Sequence, residues 1–281
     1  MLETKGIGVA KDGTVRYRKV GGRCSGDMDT ALGNCVLMVA MVYSLCKHLG
    51  IRHECIDNGD DITVFMEEAD LPKFLSEVKV WFTKLGFDIK VESVGRTLEQ
   101  VEFCQTRPVC RAGKYVMVRN IVSLTKDTVT LLDMAQTSKW WYAIGECGLN
   151  LTDGIPIFCE FYRWLMSVGD PSKVARHPLY RCGLTNLASG MQYKARPIEE
   201  STRRSFASAF GISVERQHLL EAEISQLGTP APGKAGSYSV GELASLGNEY
   251  FTATDIGDSG QAAEAKTQSW AAEYAHGSDQ C

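Results

Sequence analysis

Two adjacent aspartates, Asp60 and Asp61, stand in the stretch "IDNGDDITVF". An Asn-Gly pair precedes them and an Ile-Thr-Val-Phe run follows, so they lie where a hairpin closes. Neighbouring strand residues point to opposite faces, but a turn can aim both carboxylates outward. Side by side they repel unless a cation lies near. An oxygen-liganded Mg²⁺ or Mn²⁺ removes that cost. Two-metal phosphoryl-transfer sites use carboxylates in this way, one ion activating the attacking oxygen and the other the leaving oxygen. The competing reading is a plain solvated turn. An EF-hand does not fit: Asp57, Asp61 and Glu68 have the right spacing, but the loop position that needs Gly is Ile62, and both flanks read as strands rather than helices.

The loop upstream, "GGRCSGDMDTALGN", places Ser25 and Gly26 before Thr30 and Asn34. Gly26 allows a tight backbone shape. Thr30 and Asn34 lie four apart at the start of a helix and so share a face carrying a hydroxyl and an amide. Both can bond a sugar hydroxyl or a phosphate. Both can equally be satisfied by backbone, and an Asn in an apolar helix needs some partner.

The elements that must position these residues read as an α+β layer. Thr14–Val20 alternates as a strand. Ala31–Leu49 is a helix, apolar nearly all round and therefore expected in the core. Its most apolar part, Cys35–Cys46, is shorter than the roughly 20 residues a bilayer span needs, so no membrane span is expected in the chain. Glu54–Asn58 and Ile62–Met66 form the hairpin. Asp70 is expected to cap a helix with Pro72 in its first turn and an apolar face of Leu71, Phe74, Leu75, Val78, Trp81, Phe82 and Leu85, stopped by Gly86. Phe87–Glu92 reads as a further strand. Beyond residue 110, short strands are expected at Val116–Val118, Ile121–Leu124 and Thr128–Leu131. Helices follow at Gly154–Val168 (capped by Asp153), Thr202–Phe210 and Val214–Leu227 (capped by Ser213 and stopped by Gly228).

The formal net charge of -4 is unevenly spread. Residues 229–281 hold two lysines against seven acids, which leaves 28 bases and 27 acids in residues 1–228. The body is thus neutral and can still hold a basic groove. Residues 229–281 are Gly-, Ala- and Ser-rich, and their composition predicts a disordered tail. None of the ten cysteines forms a C-x-x-C pair, and the five histidines do not cluster with them, which argues against zinc and for buried free thiols in a reducing compartment. The N-terminus has no apolar stretch of signal-peptide type.

Ser25-Gly26-x3-Thr30-x3-Asn34, followed twenty-five residues later by Gly59-Asp60-Asp61, resembles motifs B and C of a viral RNA-dependent RNA polymerase. The segments "GRCSGDMDTALGNCVLM", "GDDITVFME", "VEFCQTRPV", "MVRN" and "GMQYKARPIEEST" are similar to polymerases of tombusvirus-like positive-strand RNA viruses, from Gly8 to Gly228. The resemblance implies a partial right-hand polymerase: a palm of antiparallel sheet with helices on one face (1–110), an α-rich thumb (111–228) and the tail (229–281). It implies Asp60 and Asp61 as catalytic metal ligands for two Mg²⁺ or Mn²⁺ ions. Ser25, Gly26, Thr30 and Asn34 would contact the nucleotide. Leu71–Leu85 with Phe87–Glu92 would be motif D, with Lys90 or Lys84 as general acid. Phe103, Cys104 and Gln105 would grip the nascent RNA end, with Arg119, Lys126, Lys194, Arg196, Arg203 and Arg204 on RNA-facing surface.

The Asp-x4-Asp arrangement of motif A and the fingers that precede it are absent from this sequence, since only Asp12 stands before Ser25. The expected partners are RNA template, nascent RNA, nucleoside triphosphates and the missing N-terminal segment. The chain is then either a C-terminal piece of the enzyme or an RNA-binding or split subunit completed by a second chain. The implied location is the host cytoplasm, at membrane-associated replication sites reached through other segments or proteins.

Overall fold

In a computed structural model of the chain, residues 3–10, 12–20, 27–130, 134–172, 184–230, 233–234 and 252–256 are described. The chain divides into two units, Met1–Thr30 with Ala235–Cys281, and Ala31–Lys234. The first unit is a three-stranded sheet. Strands β1 (Glu3–Ala10) and β2 (Gly13–Val20) pair antiparallel from Glu3↔Val20 to Ala10↔Gly13. A strand near the C-terminus, Thr252–Ile256, adds antiparallel to the other edge of β2. Tyr17 lies opposite Gly6, and its ring covers the bare backbone there, so that a Cβ at Gly6 would meet the ring carbon at 2.2 Å. The rest of the expected tail, apart from residues 229–230 and 233–234, lies outside the described residues.

The second unit begins with α1, Thr30–Leu49. Its buried stripe, Val42, Leu45, Cys46 and Leu49, follows three-and-four spacing and packs on Phe74, Val78 and Phe82 of α2, Leu71–Lys84. The sequence expectation of a helix buried all round does not hold: Leu32, Val36, Leu37, Val39 and Tyr43 are exposed, because no described element of this unit covers them. By length and composition α1 is the one helix among the described residues that could cross a membrane. Both helices end in the same way, with Ile51 N–H bonding the Cys46 carbonyl at 2.8 Å and Phe87 N–H bonding that of Phe82 at 3.0 Å. Asp70 makes no side-chain cap; a 3₁₀ turn, Glu68–Asp70, leads into α2 instead.

Between the helices, β3 (His53–Asn58) and β4 (Asp61–Met66) form the hairpin, in antiparallel register from His53↔Met66 to Asn58↔Asp61. The expected strand at Phe87–Glu92 does not form. The segment alternates, but no strand among the described residues pairs with it, and an unpaired strand leaves its backbone groups unsatisfied. Ile89 packs on the core nonetheless.

The second core gathers the later elements. Hairpin β5 (Thr106–Arg111) and β6 (Lys114–Arg119) packs through Val109 and Val118 with helices α4 (Thr137–Thr152), α5 (Phe158–Val168), α7 (Glu200–Phe210) and α8 (Val214–Ser225). Two short helices, α3 (Leu124–Asp127) and α6 (Leu184–Leu187), and a parallel pair, β7 (Val129–Thr130) with β8 (Gly233–Lys234), complete it. The boundary expected at residue 110 falls inside the β5–β6 hairpin. Ile121–Ser123 is a 3₁₀ turn and not the expected strand, since the Asn120 side chain accepts from Val122 N–H at 3.1 Å and starts it. Helix α4 has no counterpart in the sequence expectations. Its glycines let α5 approach: a Cβ on Gly148 would sit 2.3 Å from the Tyr162 ring. Asp153 does not cap α5, which starts at Phe158. Ser213 does cap α8, accepting from Arg216 N–H at 3.3 Å.

Candidate active site

The hairpin turn carries the two aspartates. Because Asn58 pairs with Asp61, the turn residues are Gly59 and Asp60, one step later than the Asn-Gly pair suggests. Gly59 has φ +86 while Asp60 stays at negative φ, the pattern of a type II′ turn with Gly at its first central position. Gly59 N–H also donates to Asp57 Oδ2 at 3.3 Å, which tightens the turn from behind. Asp60 therefore stands on the turn and Asp61 opens β4, both exposed. Asn34 of α1 reaches the turn: its Cβ lies 3.6 Å from where a Gly59 side chain would begin.

A second turn docks beside the first. Phe103 and Thr106 exchange backbone hydrogen bonds of 3.0 Å, with Cys104 (φ 51) and Gln105 (φ 57) between them in left-handed backbone. Asn58 Nδ2 donates to Cys104 Sγ at 3.2 Å, and Thr63 Oγ1 donates to the Glu102 carbonyl at 3.3 Å. A cavity of 740 Å³ opens here, lined among others by Asn34, Asp60, Asp61, Lys90, Cys104 and Gln105. Of the two motif D lysines, Lys90 thus faces the cavity of the aspartates, while paired with Glu92 at 3.3 Å; Lys84, at the end of α2, is not among its walls.

Burial, then the Asp60 and Glu92 carboxylates, push the Asp61 carboxyl above the usual carboxylate range, and only the Cys104 thiol acts against them. Burial likewise raises the Cys104 thiol. On the other side of the turn, a hydrogen bond to Asp57 raises the Cys35 thiol. The sequence marks Asn58 as a turn residue and Asp57 only as an EF-hand candidate, and gives Cys35 no role here; their contacts around the turn follow only once the hairpin register is known.

The donor chemistry suits a divalent cation. Two hard carboxylates held together against repulsion and desolvation match Mg²⁺ or Mn²⁺ better than a soft metal. Among the described residues no group of three or more His, Cys, Asp or Glu is placed to hold an ion.

Ser25 and Gly26 lie outside the described residues. Thr30 opens α1. Arg119 turns inward: its Nη2 bonds Asp127 Oδ2 at 2.6 Å and the Tyr162 hydroxyl at 2.5 Å, so the guanidinium is spent on a buried carboxylate. Arg203 is likewise buried, paired with Glu221 at 2.9 Å, and Arg204 pairs with Glu200 at 3.2 Å on the surface.

Comparison with known proteins identifies the family. The family described as viral RNA dependent RNA polymerase matches residues 1–231. The chain is 46% identical over 226 residues to the RNA-directed RNA polymerase of Groundnut rosette virus (strain MC1), covering 79% of this chain and 27% of that protein. It is 40% identical over 221 residues to the polymerase of Tobacco necrosis virus (strain A), covering 77% and 30%. It is 34% identical over 229 residues to that of Turnip crinkle virus, covering 78% and 29%. The chain thus spans less than a third of the length of these relatives. With a palm-like hairpin and helices followed by an α-rich part, and with the family matched over most of its length, the chain belongs to the viral RNA-dependent RNA polymerases.

Proposed function

We propose that this chain supplies the second half of the palm and the thumb of an RNA-directed RNA polymerase that copies a viral RNA genome by template-directed nucleotidyl transfer. The observation that carries the reading is the docking of the Phe103–Thr106 turn on the Gly59–Asp60 turn through Asn58 and Cys104, which sets a platform for an RNA end beside two carboxylates. Asp60 and Asp61 hold the divalent ions together with a carboxylate from an upstream segment. When bound, the ions activate the attacking 3′ hydroxyl and neutralise charge on the leaving pyrophosphate. Asn34, beside the turn, and Thr30 recognise the incoming ribose, with Ser25 and Gly26 in the loop before them. Lys90, on the cavity wall, protonates the pyrophosphate. Phe103, Cys104 and Gln105 seat the nascent strand. Residues 1–110 act as partial palm and 111–228 as thumb, working in the host cytoplasm at membrane-associated replication sites.

The test is incorporation of labelled nucleotide by a composite of this chain and the upstream portion of the Groundnut rosette virus polymerase, with Mg²⁺ or Mn²⁺. Incorporation that Asp60→Ala abolishes is the expected result. Undiminished incorporation by Asp60→Ala overturns the assignment. A composite that binds RNA but never incorporates favours the second reading, an RNA-binding subunit completed by another chain.

A further inference from the structure

We propose that Arg111 and Arg196, which straddle Gly154 in the second core, form a clamp for phosphodiester groups of an RNA strand. The inference rests on the polymerase reading for its ligand and on geometry remote from the aspartates for its site.

Both arginines are fixed by backbone. Arg111 closes β5 at a two-residue turn, Ala112 (φ 49) and Gly113 (φ 75), that pairs it with Lys114. Arg196 lies on a strap gripped from below by Asp153, whose carboxylate accepts the Lys194 N–H at 3.2 Å and the Arg196 N–H at 3.0 Å. Ala195 between them takes φ 51, which points both amides at one carboxylate. The two arginine side chains then run over Gly154. A Cβ there would lie 3.3 Å from Arg111 Cδ and 3.4 Å from Arg196 Cβ, and Gly154 itself sits at φ +80. The site is therefore built around a position that only glycine fills without strain.

Their donors are largely unspent. A guanidinium carries five N–H donors. Arg111 donates one bond, Nη1 to the Asp153 carbonyl at 2.6 Å. Among the described residues the Arg196 side chain has one partner, an ion pair from Nε to Asp153 Oδ2 at 3.6 Å, longer than a hydrogen bond. Other arginines of this core make closer pairs than Arg196 does with Asp153: Arg107 with Glu102 at 2.9 Å, Arg119 with Asp127 at 2.6 Å and Arg203 with Glu221 at 2.9 Å. Positive charge is also in excess. One buried carboxylate, Asp153, faces two guanidiniums, and the exposed Lys114 and Lys194 stand on the same two segments. Burial, and then the Arg196 charge, push the Arg111 guanidinium down from its ordinary value, and the single Asp153 carboxylate between the two arginines offsets them only in part. Two successive phosphates of a strand, one on each planar guanidinium fork, offset both.

The test reads salt dependence, which counts phosphate contacts. Anisotropy of a labelled single-stranded RNA oligonucleotide is titrated with the full 281-residue chain across a salt series. Each single-strand phosphate contact contributes about 0.7 to the slope of log K against log salt. Arg111→Gln with Arg196→Gln should lower the slope by about 1.4 and weaken binding at low salt. Arg196→Lys, which keeps the charge, should retain the slope while weakening binding. Arg216→Gln, on a solvated surface pair with Glu223 at 3.4 Å, should change neither. Circular dichroism checks the fold, and if the double variant does not fold, Arg196→Gln alone should still lower the slope by about 0.7.

An unchanged slope in a folded variant overturns the clamp, as does a chain that binds no RNA at low salt. A parallel titration with Mg²⁺-free ATP separates a free triphosphate from a strand: loss of ATP binding with an unchanged RNA slope also overturns it. None of these results bears on the Asp60 incorporation assay, so the clamp and the polymerase reading fail separately.

Discussion

The Asn58 side-chain amide donates to the Cys104 sulfur across 3.2 Å, joining the last residue of β3 to the left-handed turn before β5. The same thiol hydrogen-bonds Asp61. Burial keeps it protonated, so it takes a proton from one side and offers its own to the other. A residue in a region predicted only to grip RNA thus also orients a carboxylate. The bond couples the two turns to which we assign, as a proposal, the placing of metal and of the RNA end, which for in-line attack have to coincide within a fraction of an ångström.

That second turn carries strain. Cys104 and Gln105 both adopt φ above +50, the geometry of a type I′ turn that favours Asn and Gly. Left-handed backbone costs a residue with a Cβ about 1–2 kcal/mol, and glycine's extra unfolded-state entropy costs about 0.4–1 kcal/mol. The exposed Gln105 side chain makes no hydrogen bond within the turn, so Gln105→Gly should stabilise the chain by about 0.5–1 kcal/mol. Urea unfolding at constant m checks this. A midpoint that stays put or falls means that contacts of the Gln105 side chain outweigh the strain.

Much of the site could be read from the sequence because it is local. The hairpin, the aspartates at its tip, α2 and the Ser213 cap all depend on residues a few positions apart. The turn centre moved by one residue because register is set by strand pairing, with Asn58 opposite Asp61, and not by the Asn-Gly pair alone. What was illegible depends on distant partners. Arg203 looks like any surface arginine until Glu221, eighteen residues on, comes beside it. Arg107 spends an N–H on the Ala209 carbonyl, 102 residues away. Helix α4 hid behind Gly145 and Gly148, which lower helix propensity yet are what let the Tyr162 backbone and ring come close. Phe87–Glu92 alternates like a strand, but alternation does not supply a partner.

Tyr162 gives a pH dependence with a definite sign. Its side chain is fully buried, and its hydroxyl donates to Asp127 Oδ2 at 2.7 Å while accepting from Arg119. Burial, then the Asp127 charge, hold its pKa well above the ordinary value, against the opposing pull of Arg119. Above pH about 10 the unfolded chain loses this proton and the folded chain keeps it, so the unfolded state binds fewer protons and stability falls as pH rises. The contribution is fully present below that pH. Tyr162→Phe should cost about 1–3 kcal/mol at neutral pH, through the lost bond to a buried carboxylate. It should also flatten the decline above pH about 10. Urea midpoints from neutral to alkaline pH decide it; parallel declines in the two proteins would show that other groups set the slope.

Asp61 should show the opposite trade, between stability and function. Burial, then Asp60, then Glu92 disfavour its ionised form, so at neutral pH the fold carries a cost there that the Cys104 thiol relieves only in part. Asn keeps the shape and can still accept the Cys104 thiol, but brings no charge. Asp61→Asn should therefore raise the thermal midpoint of the chain. The hairpin tip is exposed and its repulsion screened by solvent, so the rise is small, about 1–2 °C. The same change in the composite enzyme should lower nucleotide incorporation by about 10²-fold or more, the scale of losing one electrostatic stabiliser of a transition state. A gain in one measurement with a loss in the other identifies a carboxylate retained for the charge it offers a metal ion and not for the hairpin. A fall in thermal midpoint would show that Asp61 serves the hairpin itself, and the cation argument for this pair would lose its physical basis.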